Sequence, residues 1–147
     1  VLLQFGLTLA RDLERQILMV DLHTRRPALE IDDTAIGRPP GNLDVVPMPS
    51  RSGCAPWTPS TLREWLDQAT SRYDWVLLDG PPVLESPDAS GFTSIADGVV
   101  LVVQAGRTKK PVLARAAEML RKSGARTLGT VLNRRRLEIP GFIYRHI

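Results

Sequence analysis

Two spacings of apolar residues alternate along the chain. One is the short continuous run: ILMVD at 17–21, LDVVP at 43–47, WVLLD at 75–79, a run within ADGVVLVVQAG at 96–106, and TLGTVLN at 127–133. Runs of this length, rich in Val, Leu and Ile, predict strands covered on both faces. The other spacing is helical. Leu62, Trp65, Leu66 and Ala69 form one stripe, and Val112, Leu113, Ala116, Ala117 and Leu120 form another, with Gly124 as a stop. Thr58 or Thr61 can cap the first of these helices. Pro59 suits its first turn, and Glu64 lies three residues after Thr61. Residues 1–14 also predict a helix, apolar on nearly every side until Arg11. Such a helix belongs inside a larger fold, so the chain is expected to lack a segment upstream of Val1. Strands alternating with helices predict an α/β fold, a mostly parallel sheet with helices on both faces. IGRPPGN marks a loop within the polar stretch 31–42. The Pro-rich 47–59 segment has strands of one style on either side, which makes it a surface connection rather than a linker. Residues 1–147 are therefore expected to form a single domain, incomplete upstream.

Composition narrows the function only a little. A chain of 147 residues suits one domain with a real core. The net charge of +3 suits an anionic ligand, an acidic partner or a membrane surface without selecting among them. No apolar run reaches the roughly 18–20 residues of a membrane span. Residues 1–13 carry neither a basic n-region nor a small-residue cleavage site. The single Cys54 excludes an internal disulfide and a Cys-based zinc site. A cytoplasmic location is the resulting expectation.

The chemistry is expected where the strands end. Ligands of an open parallel sheet bind beyond the carboxyl ends of its strands. Three strands finish on a polar residue there: Asp21, Asp79 and Asn133. A single Asp in that position more often caps the following helix. Two after all-apolar strands, with an Asn beside them, favour an oxygen-rich site suited to Mg²⁺ and phosphate oxygens. The phosphate-wrapping signature G-x-x-x-x-G-K-[ST] does not occur in these residues. The first glycine is Gly6, inside the apolar helix, and no Gly-Lys pair is present.

ILMVDLHTRRP (17–27) resembles the second Walker motif of the bacterial tyrosine kinases of capsular and exopolysaccharide biosynthesis. These are P-loop ATPases with a deviant nucleotide-binding loop. YDWVLLDGPPV (73–83) resembles their Walker B strand with its double Pro. ADGVVLVVQAGRTKK (96–110) and GARTLGTVLNRRR (124–136) resemble their later strands. The similarity covers nearly the whole chain, and VLLQFGLTLARDL matches the stretch that follows the loop's Ser/Thr. The resemblance implies a P-loop NTPase fold and Mg-ATP as cofactor. It implies that Asp21 binds Mg²⁺, often through water, and helps activate the acceptor hydroxyl, while Asp79 holds a metal-bound water. Arg25 and Arg26 would lie near phosphates or a subunit interface. Asn133 would read the adenine edge, with Arg134 nearby. It also implies a membrane-embedded polysaccharide co-polymerase or adaptor as partner, a homo-oligomer, and a place at the inner face of the membrane through that partner. No nucleic acid is expected.

Two departures matter. The family's second strand carries Asp-x-Asp, whereas here the second position is His23, and imidazole is a poor Mg²⁺ ligand beside carboxylate. His23 could act as a base near neutral pH, but a lone His on a loop is more often polar surface. The family's C-terminal tyrosine cluster is reduced to Tyr144. The leading expectation is an ATP-dependent protein tyrosine kinase module, inactive as these residues stand. A non-catalytic regulator of a polysaccharide co-polymerase is one alternative. A partition-type ATPase using the basic run 134–136 on phosphates is another.

Overall fold

The computed structural model describes residues 1–23, 41–47, 58–86 and 88–135. Among the described residues five strands and four helices follow one another: α1 (Leu2–Asp12), β1 (Ile17–Asp21), β2 (Leu43–Pro47), α2 (Pro59–Thr70), β3 (Trp75–Asp79), α3 (Asp88–Thr93), β4 (Val99–Gln104), α4 (Lys110–Lys122) and β5 (Thr127–Asn133). All strand pairing among them is parallel, as expected for apolar strands joined by helical crossovers.

β1 is the central strand of a β2-β1-β3 sheet, and all five of its residues are buried. Side chains alternate between faces along a strand, and the core divides accordingly. Ile17 and Met19 pack with Leu7, Leu9 and Ala10 of α1 and with Leu43 and Leu77. Leu18 and Val20 pack on the opposite face with Leu22, with Leu62 and Ala69 of α2, and with Phe92 of α3. The sheet thus carries helices on both faces. α1 is amphipathic rather than apolar all round. Gly6, Leu7, Leu9 and Ala10 are buried, whereas Phe5 is 48% exposed. Residues 4, 5, 8, 11 and 12 share the outward face, so the expected burial of the whole helix does not occur.

Local contacts set the ends of these elements. Thr58, not Thr61, is the cap of α2. Its hydroxyl accepts the Thr61 N–H, and the Thr61 hydroxyl accepts the Thr58 N–H in return. Asn42 holds the α1–β1 connection. Its amide donates to the carbonyls of Ala10 and Arg15 at 2.7 and 2.8 Å, and its own carbonyl accepts the Ile17 N–H. The Tyr73 hydroxyl donates to Asp44 at 2.6 Å, tying the start of β3 to β2.

β4 and β5 form a second parallel ladder, separate from the first. The expected parallel strands with helices on both faces are present, and the strands are divided between two ladders. Ala116 and Leu120 of α4 are buried, as is Val103 of β4, while Val100, Val102, Leu128 and Leu132 remain about half exposed or more. The ladder slips at its start, where Val99 pairs with Thr127 but Val100 pairs with Gly129. Leu128 is the extra residue, and its side chain lies over Gly98.

Candidate functional site

Asp21 and Asp79 end neighbouring strands and are register partners across the β1–β3 ladder. Both continue the parity of Met19 and Leu77, whose side chains pack toward α1. The two carboxylates therefore stand at the carboxyl edge of the sheet on one face. The chain continues past β1 with Leu22, whose N–H donates to the Asp79 carbonyl at 3.0 Å, so the β1–β3 pairing extends beyond the strand. Leu22 turns into the opposite core, where it is 2% exposed, and this anchors the next residue. His23 is thereby returned to the face of the carboxylates.

The three side chains meet. Asp21, His23 and Asp79 each offer a ligand atom, and these atoms lie within 4.8 Å of one another. Asp21 is buried, at 3% exposure. Its Oδ1 accepts the His23 backbone N–H at 2.9 Å and stands 2.8 Å from His23 Nδ1. Beside an ionised Asp21, the Nδ1 that faces it is the protonated nitrogen and donates the hydrogen bond. The ring is held in place by both the backbone and the carboxylate.

Asp79 is half-buried, and its carboxyl is raised above the ordinary carboxylate range. Loss of hydration is the main cause. The neighbouring Asp21 charge adds to it, while His23 opposes it.

Of the other expected site residues, Asn133 ends β5, across the ladder from Gln104, and Arg134 follows it. Its Oδ1 accepts the Arg134 N–H at 2.8 Å, and Arg134 adopts the left-handed conformation at φ 57°. Asn133 therefore stabilises the turn that closes the strand. Arg25 lies outside the described residues, as do Arg26 and Tyr144. The residue that sequence reasoning undervalued is His23, which is a partner of Asp21 rather than polar surface. The signal was its spacing: two residues after a strand-terminal Asp returns a side chain to the same face.

As a donor set, two carboxylates and an imidazole can hold a divalent cation. The carboxylates suit a hard ion such as Mg²⁺, whereas the imidazole suits a softer one. Among the described residues no helix is long and apolar enough to cross a membrane.

Comparison with known proteins adds the following. No family model matches the chain. The tyrosine-protein kinase YwqD of Bacillus subtilis is 35% identical over 102 residues, which is 65% of this chain and 41% of that protein. The tyrosine-protein kinase CpsD of Streptococcus agalactiae is 35% identical over 98 residues, 63% of this chain and 41% of that protein. This chain thus spans about two fifths of the length of the curated relatives it matches. Among solved structures, the VpsO kinase domain superposes with a TM-score of 0.68 at 24% identity, over 91% of this chain and 76% of that one. That likeness establishes the fold, the α/β architecture of a bacterial tyrosine kinase domain.

Proposed function

Because this chain is a relative of the bacterial tyrosine-protein kinases, we propose that it is the cation-holding part of an ATP-dependent protein tyrosine kinase acting in capsular or exopolysaccharide biosynthesis. One observation carries this reading: Asp21 and Asp79 are register partners on one face, at the carboxyl edge of a parallel sheet.

In this reading Asp21 and Asp79 hold Mg²⁺, directly or through water. The ion's contribution is to neutralise charge on the phosphates of ATP during transfer to a tyrosine hydroxyl. The low exposure of Asp21 and its bonds to His23 keep the carboxylate in one orientation, so its position does not have to be reached anew with each ligand. Asn133 and Arg134 form the candidate adenine edge, and Arg25 a phosphate or subunit contact. The partner proposed is a membrane-embedded polysaccharide co-polymerase or its adaptor, with the kinase a homo-oligomer at the inner face of the membrane.

The loop that wraps the phosphates is proposed to be supplied by sequence outside these 147 residues. The chain as it stands is then expected to bind ATP weakly. Calorimetry tests this directly, and micromolar ATP affinity for these residues would overturn it. The kinase reading itself is tested on the protein extended upstream, by following phosphotyrosine formation with Mg-ATP. Transfer that disappears in Asp79→Asn supports it.

His23 favours a second reading, in which the fold serves as a non-catalytic regulator of the same partner. It occupies the place of the family's second carboxylate and engages the first. An extended protein that folds, binds its partner and forms no phosphotyrosine would select this second reading.

A further inference from the structure

We propose that the Asp21–His23–Asp79 site prefers a borderline first-row ion such as Zn²⁺ or Co²⁺ to Mg²⁺, with His23 supplying a nitrogen ligand. The inference rests on the cation-site part of the reading above and extends it to the identity of the ion. Two carboxylate oxygens and one imidazole nitrogen lie within 4.8 Å of one another. Nitrogen ligands favour the later first-row ions, whereas Mg²⁺ takes oxygen and retains its water.

The geometry already approaches that of a bound site. His23 Nδ1 and Asp21 Oδ1 stand 2.8 Å apart. Adjacent ligands on one ion with bonds near 2.1 Å stand about 3 Å apart. For an ion to bind, the neutral ring would change tautomer, its proton passing from Nδ1 to Nε2 through solvent and freeing the Nδ1 lone pair, and the two ligand atoms would separate by only about a few tenths of an ångström. Asp79 supplies the third ligand from the neighbouring strand, at a position fixed by the ladder. Water or a phosphate oxygen would complete the shell. His23 is three-quarters buried and tethered through its backbone N–H, so little freedom is lost when its ring coordinates.

The test uses the purified chain and Co²⁺ alone as the probe. Visible absorption follows Co²⁺ binding, and Mg²⁺ is then titrated in as competitor. Wild type, His23→Asp, His23→Gln and Asp79→Asn are compared, each with its fold verified by circular dichroism. The expected result is a ratio of Mg²⁺ to Co²⁺ dissociation constants that falls by about tenfold or more in His23→Asp, where an oxygen replaces the nitrogen. His23→Gln should weaken Co²⁺ by a comparable factor, and its d–d bands should shift. Asp79→Asn should weaken both ions. An unchanged ratio in a folded His23→Asp would overturn the nitrogen ligand while leaving a cation site in place. A Co²⁺ signal that survives Asp79→Asn would come from other ligands and overturn the assignment. Failure of wild type to bind either ion would remove the cation site itself. None of these readouts depends on phosphotransfer, so a catalytically silent protein does not obscure them.

Discussion

Asp21 and Asp79 occupy the same rung of two adjacent parallel strands, and the buried carboxylate of Asp21 is bonded to His23. Two acids fixed so closely with little solvent are costly to ionise together. The imidazole beside them offsets part of that cost.

The cost is measurable through Asp79. Its carboxyl is raised above the ordinary 3.8, chiefly by loss of hydration. A raised folded-state pKa contributes stability that is fully present below the unfolded value and is lost as pH rises through the folded one. Ionised Asp79 therefore weakens the fold at neutral pH. Asp79→Asn removes that loss, so the melting temperature should rise relative to wild type at pH 7, and the gain should shrink below pH 3.8. Thermal denaturation across this range checks it. An equal gain at both ends would mean that ionisation is not the cause.

A divalent cation should relieve the same repulsion and stabilise the folded chain. At a free-ion concentration of 100 times its dissociation constant, the gain is about 2.7 kcal/mol. Asp21→Asn and Asp79→Asn should each reduce this response. Differential scanning calorimetry with and without the ion measures it. An equal rise in both variants would place the ion elsewhere on the surface.

Asn42 should matter to stability although it is remote from the carboxyl edge. Its amide satisfies two backbone carbonyls, those of Ala10 and Arg15, where the chain leaves α1 for the central strand. Asn42→Ala loses both bonds, and about 1–3 kcal/mol should follow. Urea denaturation gives the value. Asn42→Asp should be worse, because a carboxylate would face two carbonyl oxygens.

The parts legible in the sequence are those where one physical requirement dominates. An unbroken apolar run marks a strand, and the runs 17–21, 43–47, 75–79 and 127–133 coincide with β1, β2, β3 and β5, although of these four β1 alone is buried along its whole length as expected and β5 is largely exposed. Asp21 and Asp79 were legible for the same reason, because a charge ending such a run marks the edge of the sheet. α3 was not. Its six residues, DASGFT, are too few to show a helical period, yet Ala89 and Phe92 are buried. The division of the strands into two ladders was equally hidden, since apolar runs show which segments are strands but not which are neighbours. His23 needed the backbone. Only the course of Leu22 into the opposite core shows that the ring returns to Asp21.

The slip in the second ladder offers a test of packing that is independent of the site. A Cβ built on Gly98 would stand 2.6 Å from Leu128 Cγ, closer than carbon atoms tolerate. Leu128 occupies that space because it is the residue skipped between the pairs Val99–Thr127 and Val100–Gly129. Gly98→Ala must therefore push the Leu128 side chain from its rotamer, at a cost of about 1 kcal/mol. Leu128 is 61% exposed, so Leu128→Ala should cost little on its own. The double variant should recover most of what Gly98→Ala loses, since the second substitution removes the atoms in conflict. A double-mutant cycle by urea denaturation measures the coupling. Strictly additive losses would mean that Gly98 is required for its backbone rather than for the space above it.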